Sequence, residues 1–404
     1  MSSYKHFATI SSQVYFCSSP IRLDSYNRCQ FGCTYCFSRS RSFDTSRPGL
    51  TVANPAAFSD RMARVSQGKI QSAFDEFLAA RVPIQLGGLQ DPFGSIELKH
   101  QVTLELLRVL CAHKYPTIIS TKSTLPGQEP YLSLLAGMNV LVRFSAAGVR
   151  EEYRRKLELG CPALEDIFAV MRCLSGRGVA ISLRVQPVIP GHEDAALDLA
   201  KSAATHGARH ISFEYLKIGT EEKRQTLQRV SSAVGTDIWS VMRERGVTRV
   251  GRDYTLKAAA KSEFVRKAKQ FCHDCGVKFG AGDTEFIHLS DGSGCCNGSD
   301  YFLSDCTQFR SNLVGVVSGR TKGEKIYFSD LERHWQPTLN VHEYLTTNSR
   351  GRKSSKRMSS WMALLAHRWN GGRSVYSPPF FYGIGWTGAY DKRGYKIYEV
   401  QDVF

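Results

Sequence analysis

"YNRCQFGCTYCFSR" (residues 26–39) places Cys29, Cys33 and Cys36 within eight positions, with Gly32 directly before the second cysteine and Tyr35 directly before the third. Cys-x3-Cys-x2-Cys offers three soft thiolates from one tight loop, a donor set suited to an iron-sulfur cluster rather than to a hard cation. Three thiolates leave one iron of a cubane without a protein ligand, open to another molecule. Zinc is the competing occupant, but structural zinc sites take four ligands, usually from two pairs, and no fourth follows nearby.

Around this loop, residues 15–216 alternate short β-branched runs with longer amphipathic stretches. Strands are expected at 21–24, 82–86, 116–121, 139–145, 179–187 and 210–216, and helices at 55–78, 95–113, 129–136, 163–177 and 193–206. The expected fold class is α/β, a partial (β/α)6 TIM-like barrel, with a flat doubly wound sheet as the alternative. The unusual residues favour the barrel. After successive strands come the cysteines, then "GGLQDP" (87–92), "TKS" (121–123), "SAAG" (145–148) and "QPVIPG" (186–191), with Glu214 near the last strand's end. Barrel enzymes build their sites from the loops at that rim.

Three segments follow from the change of pattern: a barrel at 1–216, a helical and cysteine-rich extension at 217–306, and a basic, aromatic-rich α+β region at 307–404. The 404 residues are 42% hydrophobic and 22% charged, ordinary for a soluble globular chain. No run approaches the roughly 18 apolar residues of a spanning helix, so no membrane partner is expected and the expected location is cytoplasmic, the host cytoplasm if virus-encoded. Twelve cysteines without an export signal should be reduced, which favours metal binding over disulfides.

The formal net charge of +16 points to a polyanionic partner, DNA or else RNA or a nucleotide. Charge is dense at 249–269 and in "RGRKSSKR" (350–357), where Lys353, Lys356 and Arg357 are expected phosphate contacts; Arg39 and Arg41 beside the cysteine loop are expected to wall the same groove. A helix carrying Trp361, His367, Arg368 and Trp369 follows, with its tryptophans expected in the core. Cys272, Cys275, Cys296 and Cys306 form a candidate second metal site, an auxiliary iron-sulfur cluster or zinc. Cys17, Cys111, Cys161 and Cys173 read as small buried hydrophobes.

Cys29, Cys33, Tyr35 and Cys36, together with "LGGLQDPF" (86–93), resemble the signature of radical S-adenosylmethionine (SAM) enzymes. "GGLQDPFGSIE", "STKS", residues 144–158 and "RVQPVIPG" more narrowly resemble the spore photoproduct lyase branch, over about 200 residues. The resemblance implies a 4Fe-4S cluster on the three cysteines and SAM chelated at the open iron. One electron from a donor such as flavodoxin or ferredoxin would release a 5′-deoxyadenosyl radical that abstracts hydrogen from substrate. It also implies Tyr35 by the adenine, Gly87 and Gly88 by the methionine amino group with Asp91 closing that motif, Ser145 and Glu158 by the ribose or carboxylate, and Lys122, Arg184 and Gln186 at the mouth.

One position departs from the branch. Where spore photoproduct lyase has a hydrogen-returning cysteine, three residues before the motif's aspartate, this chain has Gly88. That shifts the expected reaction from lesion repair to hypermodification or isomerisation of a substituent on a thymine or other pyrimidine. DNA lesion repair of the spore photoproduct lyase type, a peptide- or protein-modifying radical SAM enzyme and a non-catalytic iron-sulfur protein that binds nucleic acid are the alternatives.

Overall fold

The computed structural model describes residues 7–36, 49–220, 223–292, 298–345, 360–371 and 376–402. A short strand, β1 (Ala8–Ile10), precedes the six expected ones: β2 (Ile21–Leu23), β3 (Ile84–Leu86), β4 (Thr117–Thr121), β5 (Val140–Gly148), β6 (Ala180–Val188) and β7 (Ala208–Tyr215). Next come β8 (Ile218–Gly219), β9 (Val247–Val250) and β10 (Asp253–Leu256), a small antiparallel sheet, and then β11 (Lys278–Ala281). The main sheet runs β1-β2-β3-β4-β5-β6-β7-β11, with β1 antiparallel and the other seven strands parallel. A doubly wound sheet reverses its strand order at a switch point. This one proceeds in chain order from β2 to β11, as a partial barrel does.

Local sequence explains the returning helices. Asn54 caps Pro55–Ser66 by accepting a hydrogen bond from Ala57 N at 3.1 Å, with proline at the first helical turn, and Ser72 caps Ala73–Ala79 in the same way. Strands β3 and β4 are almost wholly buried because helices cover one face and the barrel interior the other.

The boundary expected at residue 216 does not interrupt the sheet, since β11 lies beyond it and pairs with β7. Nor is the segment from 217 to about 270 wholly helical: β9 and β10 form a hairpin between the helices Ile238–Arg245 and Ala258–Asp274. Further on, Leu303 and Cys306 pack on Ile118, Leu141 and Ala180, the first turns of β4, β5 and β6, and close the base of the barrel. Asn139 holds that plug through Ser304, donating from Nδ2 to its carbonyl at 2.7 Å and accepting from its N–H at 3.0 Å.

In the last region β12 (Lys325–Ile326), β13 (Ile384–Tyr390) and β14 (Lys396–Val400) form a sheet ordered β12-β14-β13. The helix Trp361–Trp369 joins it to the barrel. Trp361 stacks on Tyr15 and donates to Ser311 O at 2.7 Å, while the fully buried Trp369 donates to Lys396 O at 2.8 Å. Both tryptophans are core residues, as expected. Among the described residues no helix is long and apolar enough to cross a membrane.

Trp369→Ala should cost about 3–5 kcal/mol, the usual loss for truncating a buried large aromatic. Urea unfolding followed by circular dichroism checks this.

Candidate active site

The cysteine loop leaves β2 and is tied down on both sides. Before it, the Tyr26 hydroxyl donates to the buried Glu97 carboxylate, which also accepts from the Tyr131 hydroxyl at 2.7 Å and from Thr103 N and Leu104 N at 2.9 Å each. A carboxylate at those free helix N–H groups is favourably placed. Within the loop, Gln30 Oε1 accepts from Ile96 N at 2.7 Å and Ser95 Oγ at 3.0 Å, Thr34 N donates to Leu157 O at 2.8 Å, and Gly160 N donates to Phe31 O at 3.0 Å.

The loop after β3 needs its first glycine. Gly87 has φ +83°, and a Cβ there would lie 2.6 Å from Pro92 Cδ and 2.7 Å from Ser120 O. Asp91 then clamps this loop to the end of β4. Its Oδ1 accepts from Thr121 Oγ1 at 2.8 Å and Phe93 N at 3.0 Å, and its Oδ2 accepts from Lys122 N at 2.6 Å. Burial lifts the Asp91 carboxyl to about 6 against these donors. Asp24, at the end of β2, accepts from Leu89 N and Gln90 N and is likewise raised to about 6 by burial.

Glu158 is the hub behind the loop. It receives the Tyr35 hydroxyl, Lys122 Nζ at 2.8 Å, Ala147 N at 3.0 Å and Arg154 Nη1 at 2.8 Å. Burial opposes its ionisation, but Lys122, Tyr35 and Arg154 outweigh burial and hold the carboxyl below its ordinary value. At the far wall Glu214 pairs with Arg184 and with Lys217, the latter at 2.5 Å. There too burial is overcome by the two cations, and the carboxyl falls to about 2.

These elements enclose a cavity of about 650 Å³ at the carboxyl end of the strands. Cys29, Cys33, Tyr35 and Cys36 line one wall, Gly87, Gly88 and Asp91 the next, and Lys122, Ser145, Arg184 and Gln186 the third. Of the residues expected at the mouth, Glu158 is the exception: it is 1% exposed, engaged by four internal partners, and braces Tyr35 from behind instead of facing the cavity. The β9–β10 turn contributes Arg252, and the C-terminal helix contributes Arg368, whose guanidinium carbon lies 3.6 Å from the Tyr15 ring centroid. Among the described residues, seven cationic side chains line the cavity against four carboxylates.

Arg143 was missed by the sequence reading. It sits on β5, 3% exposed, donates to Ser120 Oγ at 2.7 Å and faces the cavity floor. Its signal was in plain view as an arginine inside the apolar run "NVLVRFS", where a charge must meet a partner or a ligand. Lys217 and Arg252 follow the last expected strand and had no such pattern. Cys161, read as a buried hydrophobe, packs directly on Cys33.

Among the described residues, no group of three His, Cys, Asp or Glu side chains converges on a point that one metal ion could occupy. Three thiols on one cavity wall still suit a cubane, which takes one thiolate per iron at separate corners. Gly87 and Gly88 line the same cavity beside the thiols, where the methionine end of SAM would be received.

The second cysteine group is not brought together: Cys272 is buried in the main core on Ala258–Asp274 with Cys275 at its end, whereas Cys306 belongs to the apolar plug at the barrel base. Cys296, Arg39, Arg41, Lys353, Lys356 and Arg357 lie outside the described residues.

No family model and no curated protein matches the chain. Solved structures do. A spore photoproduct lyase mutant aligns with TM-score 0.50 and 18% identity over 65% of this chain and 76% of that one. A double mutant of spore photoproduct lyase with bound AdoMet and dinucleoside spore photoproduct aligns with TM-score 0.50 and 18% identity over 67% and 79%. The likeness bears out the expected partial barrel as a fold.

Glu158→Gln leaves Lys122 and Arg154 buried beside a neutral amide and should destabilise the chain by about 3–5 kcal/mol in guanidinium unfolding. Glu214, with its native value below the ordinary one, stabilises the fold above pH 4.5, and that contribution should vanish as pH falls from about 4.5 to about 2. Glu214→Gln should flatten the stability profile across this window by about 3 kcal/mol, read from unfolding curves at stepped pH.

Proposed function

We propose that the chain is a radical SAM enzyme acting on a nucleic-acid base, most specifically on a substituent of a pyrimidine in DNA, by hypermodification or isomerisation. The observation that carries this reading is the single cavity shared by three cysteines, the Gly87–Gly88 backbone and a cation-rich far wall. Its volume of about 650 Å³ lies in the range of small-ligand sites. A stacked duplex could not enter, so the base would be flipped out or supplied as a free nucleotide.

Cys29, Cys33 and Cys36 would hold the 4Fe-4S cluster, and Gly87 and Gly88 would admit the methionine end of SAM. When bound, this pair would supply one-electron reductive cleavage of SAM and, from it, hydrogen-atom abstraction from substrate. The protein's part is orientation and exclusion of water. The Glu158 hub holds Tyr35 against the cofactor wall, Asp91 keeps the glycine turn in place, and Arg143, Arg184 and Lys217 present positive charge to an anionic substrate.

Gly88 supports rearrangement or hypermodification over lesion repair. Among the described residues the only thiols on the cavity wall are the three of the cluster motif, which leaves no separate cysteine to return a hydrogen atom.

Anaerobically reconstituted protein, reduced with dithionite in the presence of SAM, should form 5′-deoxyadenosine detectable by mass spectrometry. Cys29→Ala, Cys33→Ala and Cys36→Ala should each abolish it; unchanged cleavage in any of them would sink the assignment. For the substrate class, DNA affinity should fall steeply with salt. A Lys353→Ala, Lys356→Ala, Arg357→Ala variant should reduce the slope of log K against log salt by about 2–3, as expected for three lost phosphate contacts. Salt-insensitive binding would remove nucleic acid from the proposal and favour a peptide substrate.

A further inference from the structure

The motif loop is gripped from beneath by one short turn 125 residues away in sequence. Helix Glu151–Leu157 ends at Glu158, and the chain turns at once, with Cys161 N donating to Glu158 O at 3.0 Å. Gly160 brings this turn against the cysteine loop: its N–H donates to Phe31 O, and a Cβ there would lie 3.1 Å from Phe31 O, 3.2 Å from Phe31 Cα and 3.3 Å from Gln30 O. Arg154 holds the turn's exit by donating to Pro162 O at 2.6 Å.

Two side chains rise from this turn onto the motif, Glu158 onto Tyr35 and Cys161 onto Cys33. Cys161 is 6% exposed and Cys33 8%; with Phe31 they form a small apolar cluster of their own, against which Tyr35 and Cys36 pack. Inside it the two thiol side chains lie packed together, out of reach of bulk water.

We infer that Cys161 is a positioning residue for the iron-sulfur site, donating an S–H hydrogen bond to the Cys33 sulfur and so setting the cluster's reduction potential. The inference rests on the proposal that Cys33 binds the cluster. With its sulfur on iron, Cys33 can only accept, so the remaining proton of the pair belongs to Cys161. A donor aimed at a ligand sulfur disperses negative charge, which favours the more electron-rich, reduced cluster and raises its potential. Burial strengthens the effect, because no water competes for the sulfur.

The test compares the reduction potential of the reconstituted cluster, by redox titration monitored by electron paramagnetic resonance, in wild type and in Cys161→Ala, Cys161→Val and Cys161→Ser. Alanine and valine remove the donor, valine keeping most of the volume, while serine keeps a donor. Lower potentials in both donor-less variants, with serine close to wild type, are expected. An unchanged potential in alanine or valine overturns the inference, as does an equal shift in all three, which would mark Cys161 as packing alone.

Addition of SAM supplies a further readout. If it perturbs the cluster spectrum only after Cys161 is removed, Cys161 is a fourth iron ligand and not a donor. If wild type binds no cluster at all, the functional proposal and this inference fail together; a cluster that forms, with potentials insensitive to residue 161, leaves the first standing and removes the second.

Discussion

The buried carboxylate of Glu158 is the point on which the site depends. It joins four parts of the barrel: the motif tyrosine at 35, the strand-end lysine at 122, the backbone at 147 and its own helix through Arg154. A charge so deep is tolerated only because every partner is in hydrogen-bond reach, and the same completeness fixes where Tyr35 can be. The cysteine loop is otherwise a stretch of irregular backbone that follows β2.

The rest of the architecture makes an enclosed chamber out of an open sheet. The segment bearing Leu303 and Cys306 covers the amino ends of β4, β5 and β6. Over the carboxyl end of the strands lie the β9–β10 turn and the helix Trp361–Trp369, anchored through Trp361 to the N-terminal loop and through Trp369 to the C-terminal sheet. The regions beyond residue 216 thus form walls of the candidate site, which is why cations from both ends of the chain, Arg22 and Arg368, meet in one cavity.

Much of this was legible. All six expected strands are present, and Cys29, Gly87, Lys122, Ser145, Arg184 and Gln186 line one cavity because they occupy equivalent places at the carboxyl ends of parallel strands. Periodicity failed where local pattern and tertiary role diverge. β11 is only four residues long and looked like part of a cysteine-rich loop, yet it completes the sheet against β7. Cys306 looked like a partner of Cys272 by spacing, but the chain carries it around the barrel base first.

By itself the sequence determined the order of strands and helices, the thiol donor set, and the positions where glycine or a charge had to serve a turn or a ligand, because these follow from short-range sterics and from residue chemistry. Tertiary structure alone decided which distant groups share a space. Glu158 turned from an expected cofactor contact into the brace behind Tyr35, and Cys161 from an inert hydrophobe into the neighbour of Cys33. Neither could be read from spacing, since a contact across 120 residues depends on how the barrel curves and not on any local preference of the chain.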